Sequence, residues 1–377
     1  MAEPSNWAQA VPCSSLRATI GKSSIVAFDG SGATAEHATN HGITNQQEIL
    51  RPNAIRTSSS GLPLTPSYAS FMVRIAADMT WLVGRTPLID LARLSPPGSR
   101  IVGKLDAWNP SGSNKDRAAL GMIRHAANSG FLKPGGTIIE CSSGDLGLAT
   151  AIIGRRLGYH VVLTMPASID PDRRNLLLAV GAEVVTTAAA AGMRGAMARA
   201  EELTKATAGA VCLQAFTNRS NARTHEETTA REIWADTDGQ VEAVVVPIGT
   251  GGTAAGCASF FAPLGVRVIG VEPAASAVLS GGKAGVHNIA GLGAGFIPDI
   301  LSPAELSEIL TVTDEQARQT TQRLMREESL LLGPASGAVT CAAITLAKRN
   351  DDAGKMIVAV LPDAAERNLD HWINETP

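Results

Sequence analysis

The chain has no long apolar run and no excess of charge of one sign. None of its apolar stretches approaches the roughly 20 residues that a membrane-spanning helix needs. Its 32 Lys and Arg residues are interspersed among 35 Asp and Glu residues, and the net charge is −3. Because nucleic acid and anionic membrane surfaces attract clustered positive charge, neither is expected as a partner. The first 25 residues also lack the apolar segment of a secretory signal.

Cysteine is scarce and scattered. The five cysteines, at positions 13, 141, 212, 257 and 341, form no Cys-x-x-Cys pair. An odd number of isolated cysteines is not typical of a disulfide framework or a zinc site, so no metal site is predicted. Reduced thiols and the missing signal together predict a cytoplasmic protein.

Regular patterning begins only after a long N-terminal stretch. Residues 1–75 are rich in Ser, Thr, Ala, Gly, Asn and Pro, show little periodicity, and are predicted to be an irregular extension. Further on, apolar runs alternate with helical patterns, which predicts an α/β fold with mainly parallel sheets. Eight strands are expected, at Ile101–Leu105, Thr137–Glu140, His160–Thr164, Glu183–Thr186, Ala243–Pro247, Val266–Glu272, Leu310–Thr313 and Met356–Leu361.

Two helix starts carry capping signals. Asp170, Pro171 and Asp172 place a proline and acidic groups in a first turn. Thr313 and Gln316 have the spacing of a capping box before a long periodic stretch. Both signals predict where a helix begins.

Lys115 follows a Gly/Ser-rich turn, Asn109–Asn114, and opens an amphipathic segment that ends near Ser129. The N-terminus of a helix favours anions and disfavours a cation, so a lysine there needs an explanation. One explanation is a Schiff base with an aldehyde cofactor, since burial lowers the pKa of the amine. The alternative is a lysine that only hydrogen-bonds a nearby loop, and this segment alone leaves both open.

A second glycine-rich turn, Gly249–Thr253, lies between an apolar strand pattern and a helical pattern. Three glycines, two threonine hydroxyls and a helix N-terminus are the components of a phosphate-binding cup. No lysine follows, so the turn is not the phosphate loop of a nucleotide triphosphatase, and it does not match the dinucleotide-binding fingerprint. A tight structural turn is the alternative. A phosphate cup and a reactive lysine in one chain suggest pyridoxal phosphate.

Motifs in one order along residues 82–370 carry a more specific likeness. They are Gly84–Leu88, Lys104–Pro110, Lys115–Arg117, Ser142–Gly147, Gly181–Glu183, Gln214–Asn221, His225–Thr229, Gly249–Thr253, Gly291–Pro298, Gly333–Gly337 and Leu361–Asp363. In these motifs the chain resembles the cysteine synthase (O-acetylserine sulfhydrylase) and cystathionine β-synthase family of fold-type II pyridoxal-phosphate enzymes.

The resemblance implies an organisation into two α/β domains with the cofactor in the cleft between them. The larger domain would comprise residues 76–108 and 220–377 and hold the phosphate cup. The smaller, mobile domain would comprise residues 109–219. A homodimer acting on a small amino acid and a small nucleophile is also implied.

The resemblance also implies the roles of the site residues. Lys115 would be catalytic and would carry pyridoxal 5′-phosphate as a Schiff base. The other cofactor-binding residues would be Asp145, Gly249, Thr250, Gly251, Gly252, Thr253 and Ser336. The substrate-binding residues would be Ser142, Ser143, Gly144, Leu146, Gly147 and Gln214, of which all but Leu146 would face the substrate carboxylate.

Three residues depart from the family pattern. The substrate loop of the family usually has the sequence Thr-Ser-Gly-Asn-Thr-Gly, whereas this chain has Asp145 and Leu146 at its fourth and fifth positions. An ionised Asp145 cannot donate a hydrogen bond to the cofactor's phenolic oxygen, whereas a protonated one can. Ala335 stands where a serine normally faces the pyridine nitrogen, so Ser336 or a water would have to replace it. These changes have three interpretations: neutral drift, altered specificity or loss of catalysis.

The predicted activity is a β-replacement on O-acetyl- or O-phospho-L-serine through an α-aminoacrylate. The nucleophile would be sulfide or another thiol or amine. A serine/threonine dehydratase or a cystathionine β-synthase type of enzyme is the alternative within enzymes. A non-catalytic homologue that binds a partner's C-terminus in the substrate cleft is the alternative of a different class.

Overall fold

The computed structural model describes residues 75–142, 144–349, 352 and 354–367. All but the last residue of the predicted N-terminal extension therefore lies outside the described residues, and so do Cys13, Ser143 and residues 368–377.

Ten strands form two sheets in the described part of the chain. They are β1 (Leu88–Asp90), β2 (Arg100–Lys104), β3 (Thr137–Cys141), β4 (His160–Pro166), β5 (Glu183–Thr187), β6 (Val211–Cys212), β7 (Val241–Pro247), β8 (Arg267–Pro273), β9 (Glu308–Val312) and β10 (Met356–Val360). The larger sheet has the order β1-β2-β10-β7-β8-β9 and the smaller one β5-β4-β3-β6. Every neighbouring pair is parallel except β1 and β2, which are antiparallel. The predicted α/β class with mainly parallel sheets is confirmed.

Nine α-helices connect and cover these strands. They are α1 (Lys115–Asn128), α2 (Asp145–Arg156), α3 (Pro171–Ala179), α4 (Gly192–Ala206), α5 (Arg219–His225), α6 (Arg231–Asp236), α7 (Gly252–Phe261), α8 (Asp314–Glu327) and α9 (Pro334–Ala347). A π-helical turn, Glu226–Ala230, joins α5 to α6. Both capping signals are confirmed: Asp170 accepts from the Asp172 N–H, and Thr313 and Gln316 form a reciprocal capping box.

The apolar runs of the central strands reflect burial on both faces of the larger sheet. In β7, Ala243 and Val245 belong to one apolar cluster, whereas Val244 and Val246 belong to another. Successive side chains of a strand point to opposite faces, so a continuous apolar run fills the core on both sides. This explains why the central strands could be recognised without alternation.

None of the helices in the described ranges is long and apolar enough to cross a membrane.

Candidate functional site

Lys115 is the first residue of α1 and is partly buried. Its Nζ donates a hydrogen bond to Asn114 Oδ1 at 2.7 Å. Burial lowers the pKa of the Lys115 amine, while the negative charges of Asp145, Asp363 and Asp106 oppose that change. An amine with a lowered pKa has a larger neutral fraction, which is the nucleophilic form.

A buried ion network fixes the start of α1. Arg117 is 1% exposed and bonds Asp106 Oδ1 at 2.9 Å and Glu232 Oε2 at 2.7 Å. The fully buried Lys104 bonds the same Glu232 carboxylate at 3.0 Å. These contacts join β2, α1 and α6 two residues away from Lys115. The charges are desolvated and paired, so removing one partner would leave an uncompensated buried charge.

The turn Gly249–Thr253 connects β7 to α7, as the sequence predicts for a phosphate cup. Gly251 caps α7 with φ +87°, a left-handed conformation that favours glycine. A Cβ on Gly249 would collide with the Gly291 carbonyl oxygen, and one on Gly252 would collide with the Asn221 side chain. The first N–H groups of α7 have no acceptor within the helix, so the turn offers backbone donors to an anion.

Polar side chains behind the cup tie it to Lys115. Asn114 Nδ2 donates to Thr253 Oγ1 at 3.2 Å, and Thr253 Oγ1 lies 3.3 Å from His225 Nε2. Burial lowers the pKa of His225 to about 3, so its ring is neutral near neutral pH. On the other side of the cup, Asn221 Nδ2 donates to Thr250 Oγ1 at 3.1 Å. The cup and the lysine are therefore joined through one side chain, Asn114.

The segment Ser142–Gly147 leaves the carboxyl end of β3 and enters α2, which begins at Asp145. Ser142 Oγ accepts from the N–H of Gly147 at 2.9 Å, and a Cβ on Gly147 would lie 2.7 Å from the Ser142 carbonyl oxygen. Asp145 lies close enough for its charge to act on Lys115. Leu146 is 6% exposed and packs in the apolar cluster around β3 and β4, so its side chain contributes to the core.

Gln214 follows β6 and has a positive φ of 53°. Because Ile139 of β3 pairs with Cys212 of β6, the turn at Gln214 lies at the same sheet edge as Ser142. The Gln214 N–H donates to Glu140 Oε2 at 2.9 Å. The predicted substrate segments are thus brought to the carboxyl ends of β3 and β6, and Asp145 is close enough for its charge to act on Lys115.

Asp363 accepts hydrogen bonds at the N-terminus of α9. Its carboxylate accepts from the N–H groups of Ala335 and Ser336 at 3.1 and 2.8 Å, and from Ser336 Oγ at 2.6 Å. The Ser336 hydroxyl thus donates its proton to Asp363. Burial raises the pKa of Asp363 to about 6, although the hydrogen bonds from Ser336 lower it.

Comparison with known proteins decides the family. The family model described as "Pyridoxal-phosphate dependent enzyme" matches residues 79–363. The chain belongs to this family.

Its relatives include cysteine synthases. Cysteine synthase A of Escherichia coli K12 is 39% identical over 309 residues, which are 79% of this chain and 95% of the relative. A probable cysteine synthase of Bacillus subtilis is 42% identical over 309 residues, 80% of this chain and 99% of the relative.

Solved structures agree with these relatives. A crystal structure of the Entamoeba histolytica cysteine synthase has a TM-score of 0.78 and 34% identity, covering 83% of this chain and 96% of that chain. A crystal structure of an O-ureido-L-serine synthase has a TM-score of 0.77 and 33% identity, covering 81% of this chain and 98% of that chain.

The protein is therefore a pyridoxal-phosphate-dependent enzyme of the cysteine synthase type. The residues present fit the cofactor: the cup is a cradle that Cβ atoms would fill, and a lysine with a lowered pKa is joined to it through Asn114. No group of His, Cys, Asp or Glu that could hold a metal ion occurs among the described residues.

Three residues of the site carried no role in the sequence-based prediction: Glu140, Asn221 and Asp363. Each acts on a backbone or side chain that is distant in sequence, so only the fold shows its partner. The one available signal was charge at the end of an apolar strand pattern, which marks both Glu140 and Asp363.

Proposed function

We propose that the protein catalyses a β-replacement on O-acetyl- or O-phospho-L-serine, with sulfide or another thiol or amine as the nucleophile. The observation that carries the proposal is the Lys115 amine, whose pKa burial lowers at a site joined to the glycine cup. Relatives described as cysteine synthases support this reaction class. The proposed reaction exchanges the activated oxygen on the β-carbon for the incoming nucleophile.

The cup and Lys115 have different roles toward the cofactor. Gly249, Gly251 and Gly252 supply the backbone, and Thr250 and Thr253 supply hydroxyls for the phosphate. When bound, pyridoxal phosphate supplies an electron sink for negative charge at the substrate α-carbon. Lys115 Nζ would hold the cofactor and would accept the proton from the substrate α-carbon.

The substrate carboxylate is received at the edge where β3 and β6 end. We propose that the loop Ser142–Gly147 binds this carboxylate from one side and that Gln214 binds it from the other. Leu146 takes part through its backbone only, since its side chain is in the core. We further propose that residues 109–219 act as the smaller domain beside residues 76–108 and 220–377, and that the protein is a cytoplasmic homodimer.

Asp145 is proposed to set the preference for the second substrate. It starts α2 within the substrate loop and acts by charge on Lys115 and Asp363. In Asp145→Asn we expect a changed cofactor absorption spectrum and a changed ranking of sulfide against thiols and amines. An unchanged spectrum together with an unchanged ranking would contradict this role.

The reaction is tested by adding O-acetyl-L-serine and O-phospho-L-serine separately to the purified holoenzyme. We expect one of them to shift the cofactor absorption and, with sulfide present, to release acetate or phosphate and form cysteine in equal amounts. Lys115→Ala is the matched control and should do neither. Release of pyruvate and ammonia with no uptake of any nucleophile would indicate a dehydratase instead. A cofactor spectrum that no amino acid changes would indicate a binding protein.

A further inference from the structure

Glu140 is a buried carboxylate that faces backbone rather than solvent or a cation. It is the fourth residue of β3, an inner strand of the smaller sheet, and is 4% exposed. Its Oε2 accepts from the Gln214 N–H at 2.9 Å and its Oε1 from the Cys141 N–H at 3.2 Å. The Leu213 N–H is a third backbone donor to the same group. The Glu140 carboxylate therefore accepts hydrogen bonds from backbone N–H groups at the ends of both β3 and β6.

The contact with Gln214 holds a backbone that is unfavourable by itself. Gln214 has φ +53°, a left-handed conformation that is unfavourable for a residue with a side chain. Its N–H is held by Glu140, and its carbonyl oxygen accepts from the N–H groups of Thr217 and Asn218, both at 2.9 Å. Hydrogen bonds at both the N–H and the carbonyl oxygen of Gln214 thus fix its backbone conformation.

Glu140 also lies two residues before the substrate loop. Its bond to the Cys141 N–H fixes the end of β3, from which Ser142 continues into the loop closed by the bond from Gly147. The same carboxylate consequently links the two segments that the proposed function assigns to the substrate carboxylate.

We propose that Glu140 is a positioning residue that sets the geometry of the substrate-carboxylate site by holding the backbone of Gln214 against the end of β3. This inference rests on the proposed function. Glu140 itself touches neither substrate nor cofactor.

The affinity for the substrate should depend on the protonation state of Glu140. Burial raises its pKa to about 7, although the three backbone N–H groups lower it. The titratable groups around it are the Cys141 and Cys212 thiols, whose pKa values burial raises to about 11 and 12, and Glu201 acts in turn on Cys212. Both thiols stay neutral near pH 7. Protonation of Glu140 below its pKa places an O–H among N–H donors, and this should loosen Gln214.

The test compares two ligands that differ only in the carboxylate, L-alanine and ethylamine. Their dissociation constants are measured from the cofactor absorption of the holoenzyme between about pH 6 and pH 8.5, a range that brackets the pKa of Glu140. In Glu140→Gln we expect L-alanine to bind about tenfold more weakly, while ethylamine changes by less than about twofold. The wild type should also show an inflection near pH 7 that the variant lacks.

Hydrogen exchange provides a readout independent of the cofactor. The peptide that contains Gln214 should exchange faster in Glu140→Gln, because the acceptor of its N–H is altered. Glu201→Gln is the matched control: it removes an exposed acid near Cys212 and should leave both exchange and binding unchanged. Glu140→Asp keeps the charge on a shorter side chain and should restore part of the L-alanine affinity, and it replaces Glu140→Gln should that variant not fold.

The outcomes separate this inference from the proposed function. If the wild type responds to amino acids but Glu140→Gln binds L-alanine equally well with the same pH profile, the inference is overturned and the proposed function stands. A lower melting temperature with unchanged L-alanine affinity would also overturn it, since the role would be only structural. A wild type that binds no amino acid would overturn both.

Discussion

Asp145 is the acidic residue whose charge opposes most strongly the effect of burial on Lys115. Its negative charge stabilises the protonated amine. In Asp145→Asn we therefore expect the pKa of Lys115 to fall further. Competitive labelling of the apoprotein with acetic anhydride across pH, followed by peptide mass spectrometry, measures that pKa.

The control for this measurement is Asp299→Asn, which removes an exposed acid that does not act on Lys115. An unchanged or higher pKa of Lys115 in Asp145→Asn would contradict the electrostatic account of the site.

Gly249 is the glycine of the cup whose Cβ would collide with backbone rather than with a side chain. A Cβ there would overlap the Gly291 carbonyl oxygen, which is backbone and cannot rotate away. We expect Gly249→Ala to weaken cofactor binding by at least about tenfold, because the turn must move. Equilibrium dialysis against pyridoxal phosphate measures the loss.

Gly144→Ala is the matched substitution in the other loop. Its Cβ would meet only Arg173 at 4.0 Å, so cofactor affinity should be retained. Equal losses in the two variants would show that the cup geometry is not what holds the phosphate.

The N-terminus of helix α9 depends on the hydrogen bond between Ser336 and Asp363. Ser336→Ala removes a 2.6 Å hydrogen bond to a buried carboxylate and should lower the free energy of unfolding by about 1.5–3 kcal/mol. Thr340→Val is the control on the same helix, because Thr340 Oγ1 has no hydrogen-bond partner among the described residues. Urea denaturation of the apoproteins measures both changes. If Ser336→Ala leaves apoprotein stability unchanged but alters the cofactor spectrum, Ser336 bonds the cofactor instead.

The elements were predictable where a pattern was long enough. The eight strands recognised from apolar runs are present, with ends that coincide or differ by at most two residues. Two strands, β1 and β6, were not predicted, because their three and two residues are too few to show a periodicity. Lys115 and the cup were identifiable from local chemistry, whereas the partners of Glu140 and Asp363 depend on which strand ends meet.

The free energy of unfolding of the protein should depend on pH through Glu140. Its pKa rises from 4.5 in a model compound to about 7 in the fold, so the unfolded chain ionises first. The stability it contributes is fully present below pH 4.5 and is lost as pH rises through about 7. The loss is on the order of 3 kcal/mol.

Glu140→Gln should show a shallower fall in the free energy of unfolding over that range than the wild type does, since glutamine does not titrate. Urea denaturation of the apoproteins at several pH values measures the slope, with Glu201→Gln as the control. The same slope in Glu140→Gln and wild type would contradict the raised pKa.

The assignment of Lys115 as the residue that holds the cofactor is central to the account. Sodium borohydride reduction of the holoenzyme fixes pyridoxal phosphate irreversibly to the amine that binds it, and peptide mass spectrometry then locates the label. We expect the label on Lys115 and its absence in Lys115→Ala. A label on any other lysine, or no label in the wild type after pyridoxal phosphate has been added, would contradict the account.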